Sequence, residues 1–304
     1  MRAIVVGMGV QGNKRKNFLG KDFVYSVDKF KKADFQSISK VPLNKFDTVF
    51  ACVPDSQKLK IVNYCINNKK HILLEKPFIL KNNKILSDLE KRARNKKVVC
   101  YTAYNHRFEP IIIKLKNLIK SKKLGKIYKC RMFYGNGTSS LVKKSKWRDK
   151  GLGVLTDIGS HLLDLCLFWF GEKIKVLKVI EINKFENKAS DHVIIALEIN
   201  KIKIELEMTL CMWKNTFLCD VIASKGSAHL NSLCKWEKNS FCYRKRRFPP
   251  GRPYEKIISF KQTDPTWKTE YLFFKNLIKN KIKTSLRKDL ILNKSFLQLN
   301  KSIN

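Results

Sequence analysis

The stretch Arg2-Ala3-Ile4-Val5-Val6-Gly7-Met8-Gly9-Val10-Gln11-Gly12 decides the fold. Four apolar residues run straight into G-x-G-x-x-G, the signature of a strand that turns sharply into a helix over a dinucleotide. The first glycine permits the tight turn, the second lets the backbone approach a pyrophosphate, and the third lets helix pack on strand. The helix after it directs its unpaired N–H groups and the positive end of its dipole at the phosphates. Gly7, Met8, Gly9, Val10, Gln11 and Gly12 are therefore the first candidate cofactor residues.

A second strand comes next, Phe23-Val24-Tyr25-Ser26-Val27-Asp28. Asp28 ends it roughly 20 residues after the turn, where a Rossmann acid accepts hydrogen bonds from the adenosine ribose. That placement favours NAD. Lys29, Lys31 and Lys32 come immediately after and offer a 2′-phosphate a counter-charge, so NADP stays open, and a solvated strand-end acid is the plainer alternative for Asp28.

Outward from this motif, the first hundred residues alternate strand and helix. Thr48–Val53 reads as a strand, 57–67 as a helix, Ile72–Leu74 as a strand, 82–95 as a helix and Val98–Tyr101 as a strand. Beyond Pro110 the pattern becomes a helix carrying Ile112, Leu115, Leu118 and Ile119, then longer alternating stretches. Lys175–Asn183, His192–Ile199 and Lys201–Met212 read as strands of an antiparallel sheet with one wet face. The expected fold class is α/β: an N-terminal doubly wound parallel sheet, residues 1–108, and a C-terminal α+β domain with a large, mostly antiparallel sheet, residues 109–304. No glycine- or serine-rich linker separates them, so a cleft between the two is the expected ligand site.

The 304 residues are ample for two domains, and 44% hydrophobic content supports a real core. No run reaches the ~18 apolar residues of a membrane span, and Lys14, Arg15 and Lys16 break any signal-peptide-like start, which predicts a soluble cytoplasmic protein. The 9 cysteines are scattered and never form C-x-x-C, so neither a disulfide framework nor a metal site is expected. A formal charge of +38 invites nucleic acid as a partner. The lysines are dispersed among asparagine and isoleucine, however, rather than clustered with stacking aromatics, and no nucleic-acid partner is expected. One denser cluster, Arg244–Pro253, is either an arm for an anionic substrate or an exposed loop.

Two further motifs carry chemistry. Leu74-Glu75-Lys76-Pro77-Phe78 closes the fourth strand at its carboxyl end, the edge that faces the cofactor crevice. Asp157-Ile158-Gly159-Ser160-His161-Leu162-Leu163-Asp164 opens an apolar helix reaching about Phe170, with Asp157 and His161 four apart on one face. A carboxylate-oriented histidine is a proton acceptor near neutral pH. On spacing alone, a surface lysine, a capping acid and a satisfied core histidine are the competing readings.

The order Gly7-x-Gly9-x-x-Gly12, Glu75-Lys76-Pro77, Asn105-His106-Arg107-Phe108-Glu109-Pro110 and Gly151-x-Gly153-x-x-x-Asp157-x-Gly159-x-His161-x-x-Asp164 resembles the glucose-fructose oxidoreductase / inositol dehydrogenase / MocA family. The likeness runs along nearly the entire chain, including Ala223-Ser224-Lys225-Gly226-Ser227. It implies an NAD(P)-dependent dehydrogenase or reductase acting on the CH–OH group of a sugar, cyclitol or nucleotide sugar. Lys76 is then expected to touch both substrate and cofactor, with Pro77 fixing its backbone and Glu75 and Pro54 on the cofactor side. His161 is expected to take the hydroxyl proton, Asp157 to hold the substrate or polarise the histidine, and Asn105, Arg107, Trp147 and Arg148 to line the substrate, with packing between the domains the alternative for Trp147 and Arg148. A homodimer or homotetramer is implied through the open face of the second sheet. The likeness departs where the family's proline is followed four residues later by histidine: here Pro54 is followed by Lys58, which bears on packing beside the cofactor. The competing reading is a catalytically silent NAD-binding regulator of the same fold.

Overall fold

The computed structural model describes residues 1–145, 148–261, 263–280, 284 and 286–303. The chain divides into two compact units, Met1–Asn105 with Thr266–Lys294, and His106–Pro265 with the residues from Ser295 onward. From sequence the second domain is expected to run unbroken to residue 304; instead Thr266–Lys294 packs with the first unit.

In the first unit, β1 (Ala3–Val6), α1 (Val10–Leu19), β2 (Phe23–Val27), β3 (Thr48–Ala51), α2 (Asp55–Asn67), β4 (His71–Glu75), α3 (Asn83–Asn95) and β5 (Cys100–Ala103) alternate in order. The strands form one parallel sheet in the order β2-β1-β3-β4-β5. Every residue of β1 and β3 is buried, as a strand covered on both faces requires. The pleat sends Ile4 and Val6 to one face, where they meet Val62, Ile66, Leu86 and Leu89, and Ala3 and Val5 to the other, where they meet Leu19 and Phe274. Reversal of strand order between β1 and β3 opens the crevice at their carboxyl ends.

The second unit begins with α4 (Pro110–Lys120), β6 (Ile127–Gly135) and the short α5 (Ser139–Lys143). A π-helical turn, Leu155–Gly159, then leads into α6 (Ser160–Phe170). The remaining strands are β7 (Ile174–Asn183), β8 (His192–Ile199), β9 (Ile202–Thr209), β10 (Thr216–Ala223), β11 (Gly226–Asn231), β12 (Asn239–Lys245) and β13 (Tyr254–Phe260). They make an eight-stranded sheet, β13-β12-β11-β10-β6-β9-β8-β7, antiparallel except at β6–β9. Burial alternates residue by residue along β8 and β10, so one face is covered and the other open. The expected strand from Lys201 starts one residue later, because Asn200 and Lys201 form the β8–β9 turn with φ of 51° and 67°. Of the basic cluster, Arg244 and Lys245 belong to β12, and the loop begins at Arg246.

The chain closes with α7 (Thr266–Lys279) and α8 (Leu286–Ile303). α7 seals the first unit's second face: Phe274 is fully buried against Phe50, with Tyr101 at 5.8 Å. Among the described residues no helix is long and apolar enough to cross a membrane.

Candidate active site

In the first unit the glycine turn is sterically obligatory. Gly7 has φ of 92°, and a Cβ there would stand 2.3 Å from the Cys52 carbonyl oxygen; one on Gly12 would stand 1.8 Å from the Gly7 carbonyl oxygen. Gly9 is different. A Cβ on it meets nothing within 4 Å, so its backbone faces open space. That is the surface a pyrophosphate needs to approach, ahead of an α1 first turn with no acidic side chain.

Asp28 joins this turn directly. Its carboxylate accepts the Met8 N–H at 2.7 Å and the Phe30 and Lys31 N–H groups at 2.8 and 2.9 Å. Burial works against its charge, but the three backbone donors outweigh it and hold the carboxyl below the usual range. A half-buried, ionised acid is thus fixed beside Met8, with Lys29, Lys31 and Lys32 exposed just beyond. The turn, the open backbone at Gly9 and the acid fit a dinucleotide.

Glu75 and Lys76 lie where β4 meets the crevice end. Glu75 accepts the Arg15 Nε–H at 2.6 Å, and Arg15 reaches Glu270 of α7 at 2.8 Å, so the glutamate of the E-K-P motif anchors the underside of α1. Burial pushes the Glu270 carboxyl up to about 7, despite Arg15, and the charge of Glu75 adds to the rise. Trp267 covers the pair, with the Lys14 Nζ 4.2 Å and the Arg15 guanidinium 4.3 Å from its ring centre. Lys58, in the position where the family commonly has histidine, is buried; its ammonium donates to the Pro77 carbonyl at 2.6 Å and pairs with Asp55 at 2.6 Å. Burial lowers its pKa. Lys58 therefore braces the chain just after Lys76, at Pro77. Pro54 is exposed at the start of α2, and Asn105 donates to the Thr266 hydroxyl at 2.9 Å.

In the second unit, His161 sits buried in the first turn of α6 and Asp157 in the π turn before it. Asp157 pairs with Arg148 at 2.7 Å, both half-buried. The His161 ring lies 3.8 Å, centre to centre, from that of His106. The His106 Nε2 is 3.3 Å from the Lys235 Nζ, which also donates to the Tyr134 hydroxyl at 3.2 Å.

The N-terminal family model, an oxidoreductase family with an NAD-binding Rossmann fold, matches residues 2–104, and the GFO/IDH/MocA C-terminal domain matches residues 112–229. The chain belongs to the GFO/IDH/MocA family. Oxidoreductase P35 of Formosa agariphila is 30% identical over 141 residues, 43% of this chain and 43% of that protein. The scyllo-inositol 2-dehydrogenase (NADP(+)) IolW of Bacillus subtilis is 25% identical over 161 residues, 52% of this chain and 44% of that one. The match spans about two-fifths of the length of the first curated relatives, 37% of one and 43% of the next. Among solved structures, levoglucosan dehydrogenase in complex with NADH and levoglucosan superposes with a TM-score of 0.81 at 15% identity, over 99% of this chain and 96% of that one. At that identity the likeness shows the fold.

Against the sequence expectations for a GFO/IDH/MocA chain, Arg107 stands out. Expected on the substrate, it is buried and forks onto Asp164, its Nε donating at 2.6 Å and a second nitrogen pairing with the other carboxylate oxygen. Both ends of that pair are buried, so it clamps the His106–Phe108 turn to α6. Trp147 lies outside the described residues. Sequence reasoning passes over His106, Tyr134 and Lys235. One group of possible metal ligands occurs among the described residues, Glu109, Cys234 and Asp264, and burial raises the Glu109 carboxyl and the Cys234 thiol. The charges of Glu109 and Asp264 are felt at Lys235, where they oppose the effect of burial.

Proposed function

We propose that the chain is an NAD(P)-dependent oxidoreductase that moves a hydride between nicotinamide and the carbinol or carbonyl carbon of a sugar or cyclitol. The observation that carries the reading is the Asp28–Met8 hydrogen bond, which sets an ionised acid at the rim of an open glycine turn. Such an acid accepts ribose hydroxyls and repels a 2′-phosphate, so NADH is preferred over NADPH.

Bound nicotinamide supplies the hydride acceptor or donor. The chain's own groups handle the proton and the oxygen. In the oxidative direction His161 accepts the hydroxyl proton at a ring nitrogen as the C–H bond gives up its hydride, and the Lys76 ammonium holds the oxygen as charge develops on it. Asp157, tied to Arg148, holds a neighbouring substrate hydroxyl. In reduction the same groups run in reverse. Inositol and levoglucosan dehydrogenases among the relatives and structural neighbours support a polyol or sugar substrate. The open face of the second unit's sheet supports a homodimer or homotetramer.

The test is nicotinamide fluorescence with NADH and NADPH on the wild type and Asp28→Ala, followed by turnover on a panel of polyols and aldoses. We expect NADH to bind more tightly than NADPH and Asp28→Ala to narrow that gap about tenfold. Failure of both nucleotides to bind refutes the reading. Binding without turnover on any substrate favours a silent NAD-binding regulator.

A further inference from the structure

Lys235 has a combination of features that the proposed hydride transfer does not use. It is half-buried, its ammonium lies 4.6 Å from the Trp236 ring centre, and two of its three donors are engaged by His106 Nε2 and the Tyr134 hydroxyl. Among the described residues no carboxylate stands within the 4.0 Å of an ion pair with it. Partly desolvated ammonium groups are normally matched by an anion in contact. Here Glu109, Asp264 and Asp157 are felt only at longer range, and burial lowers the lysine's pKa despite them. One charge and one remaining donor are thus held in an aromatic frame, one imidazole away from His161.

We propose that Lys235 is a substrate-holding, specificity-determining residue, and that the substrate is a sugar or polyol bearing a carboxylate, which supplies the missing counter-charge. The inference rests on the oxidoreductase reading and names its substrate class. The His106–His161 ring contact fixes the scale: the carboxylate and the hydroxyl to be oxidised belong to one small molecule. A single cation with one donor suits a carboxylate better than a phosphate, which recruits several donors at once.

The experiment titrates the NADH-loaded full chain with three pairs: D-glucuronate and D-glucose, D-galacturonate and D-galactose, D-gluconate and D-sorbitol, with glucose 6-phosphate as a further probe. At least one acid should bind about tenfold or more tightly than its neutral partner. Lys235→Met should bring that ratio close to one without altering NADH affinity, and Lys235→Arg should retain part of it. Melting curves confirm that both variants fold. If no acid outbinds its neutral partner, if Lys235→Met keeps the ratio, or if glucose 6-phosphate outbinds every acid, the inference is wrong. Loss of NADH binding in the wild type instead sinks the oxidoreductase reading itself, and the two failures are thereby told apart.

Discussion

Arg15 brings one positive charge to two carboxylates, Glu75 and Glu270, in the interior of the first unit. One of the acids therefore keeps a proton near neutrality, and Glu270, fully buried, is the one raised to about 7. Its folded pKa lies above its unfolded value near 4.3, so the folded state binds more protons between the two. Stability from this group is full below about pH 4, declines as pH rises toward 7, and is gone above. Glu270→Gln should remove that slope. Melting temperatures from pH 5 to 8 should fall for the wild type relative to the variant, with a difference of up to about 3 kcal/mol across the range; parallel curves contradict the assignment. Under the proposed mechanism, His161→Ala and Lys76→Ala should each lower turnover by roughly 10²–10⁴ while NADH affinity stays near wild type, and a rate close to wild type removes the residue from the mechanism. Asp28, Lys76, Asp157 and His161 can be proposed from the sequence because their spacing from a glycine turn or a helix start is local. Arg15 cannot. Its partners come from β4 and α7, and in a chain with 63 lysines and arginines nothing marks the few that are buried. Lys235 escapes notice for the same reason, being one lysine in a crowd until His106 and Tyr134 close on it.

At the scale of the element, the G-x-G-x-x-G turn separates packing from binding. Gly9 has φ of −74° and ψ of −167°, ordinary extended backbone, and open space above it. Gly9→Ala should leave the melting temperature unchanged and weaken NADH about tenfold or more. Gly12→Ala drives a methyl group into the Gly7 carbonyl and should cost ~3 kcal/mol, visible as a drop in the urea midpoint. Equal effects on folding would mean the turn is structural only. Apolar runs announce the parallel strands well, because β1 and β3 are buried on both faces. The helix bearing His161 is legible from its apolar length, but not its entry through a π turn. That turn is set by packing of Leu155–Gly159 on β9, where Gly159 closes against Met208, and hydrophobic periodicity carries no record of it.

For the whole molecule, the open face of the eight-stranded sheet bears Leu218 and Ile222 at 42% and 49% exposure beside the charged pair Arg131–Glu205. Apolar side chains rimmed by charges mark a contact surface. If the proposed homo-oligomer forms through this face, Ile222→Asp should yield monomers in light scattering while NADH binding persists; an unchanged mass counts against this face as the interface. The two-part organisation is legible from the change in pattern near Pro110, but the return of α7 to the first unit is not, since an amphipathic helix does not declare which sheet it covers. That return bears on synthesis. The first unit holds Asp22 to Tyr271 and Lys275, and Phe50 to Phe274, so its second face stays bare until α7 has left the ribosome. His106–Pro265 is made in the interval, on the order of ten seconds at cellular rates of elongation. The nascent chain thus makes the sheet of its second unit before the second face of its first is covered, and the nucleotide cradle matures late in synthesis.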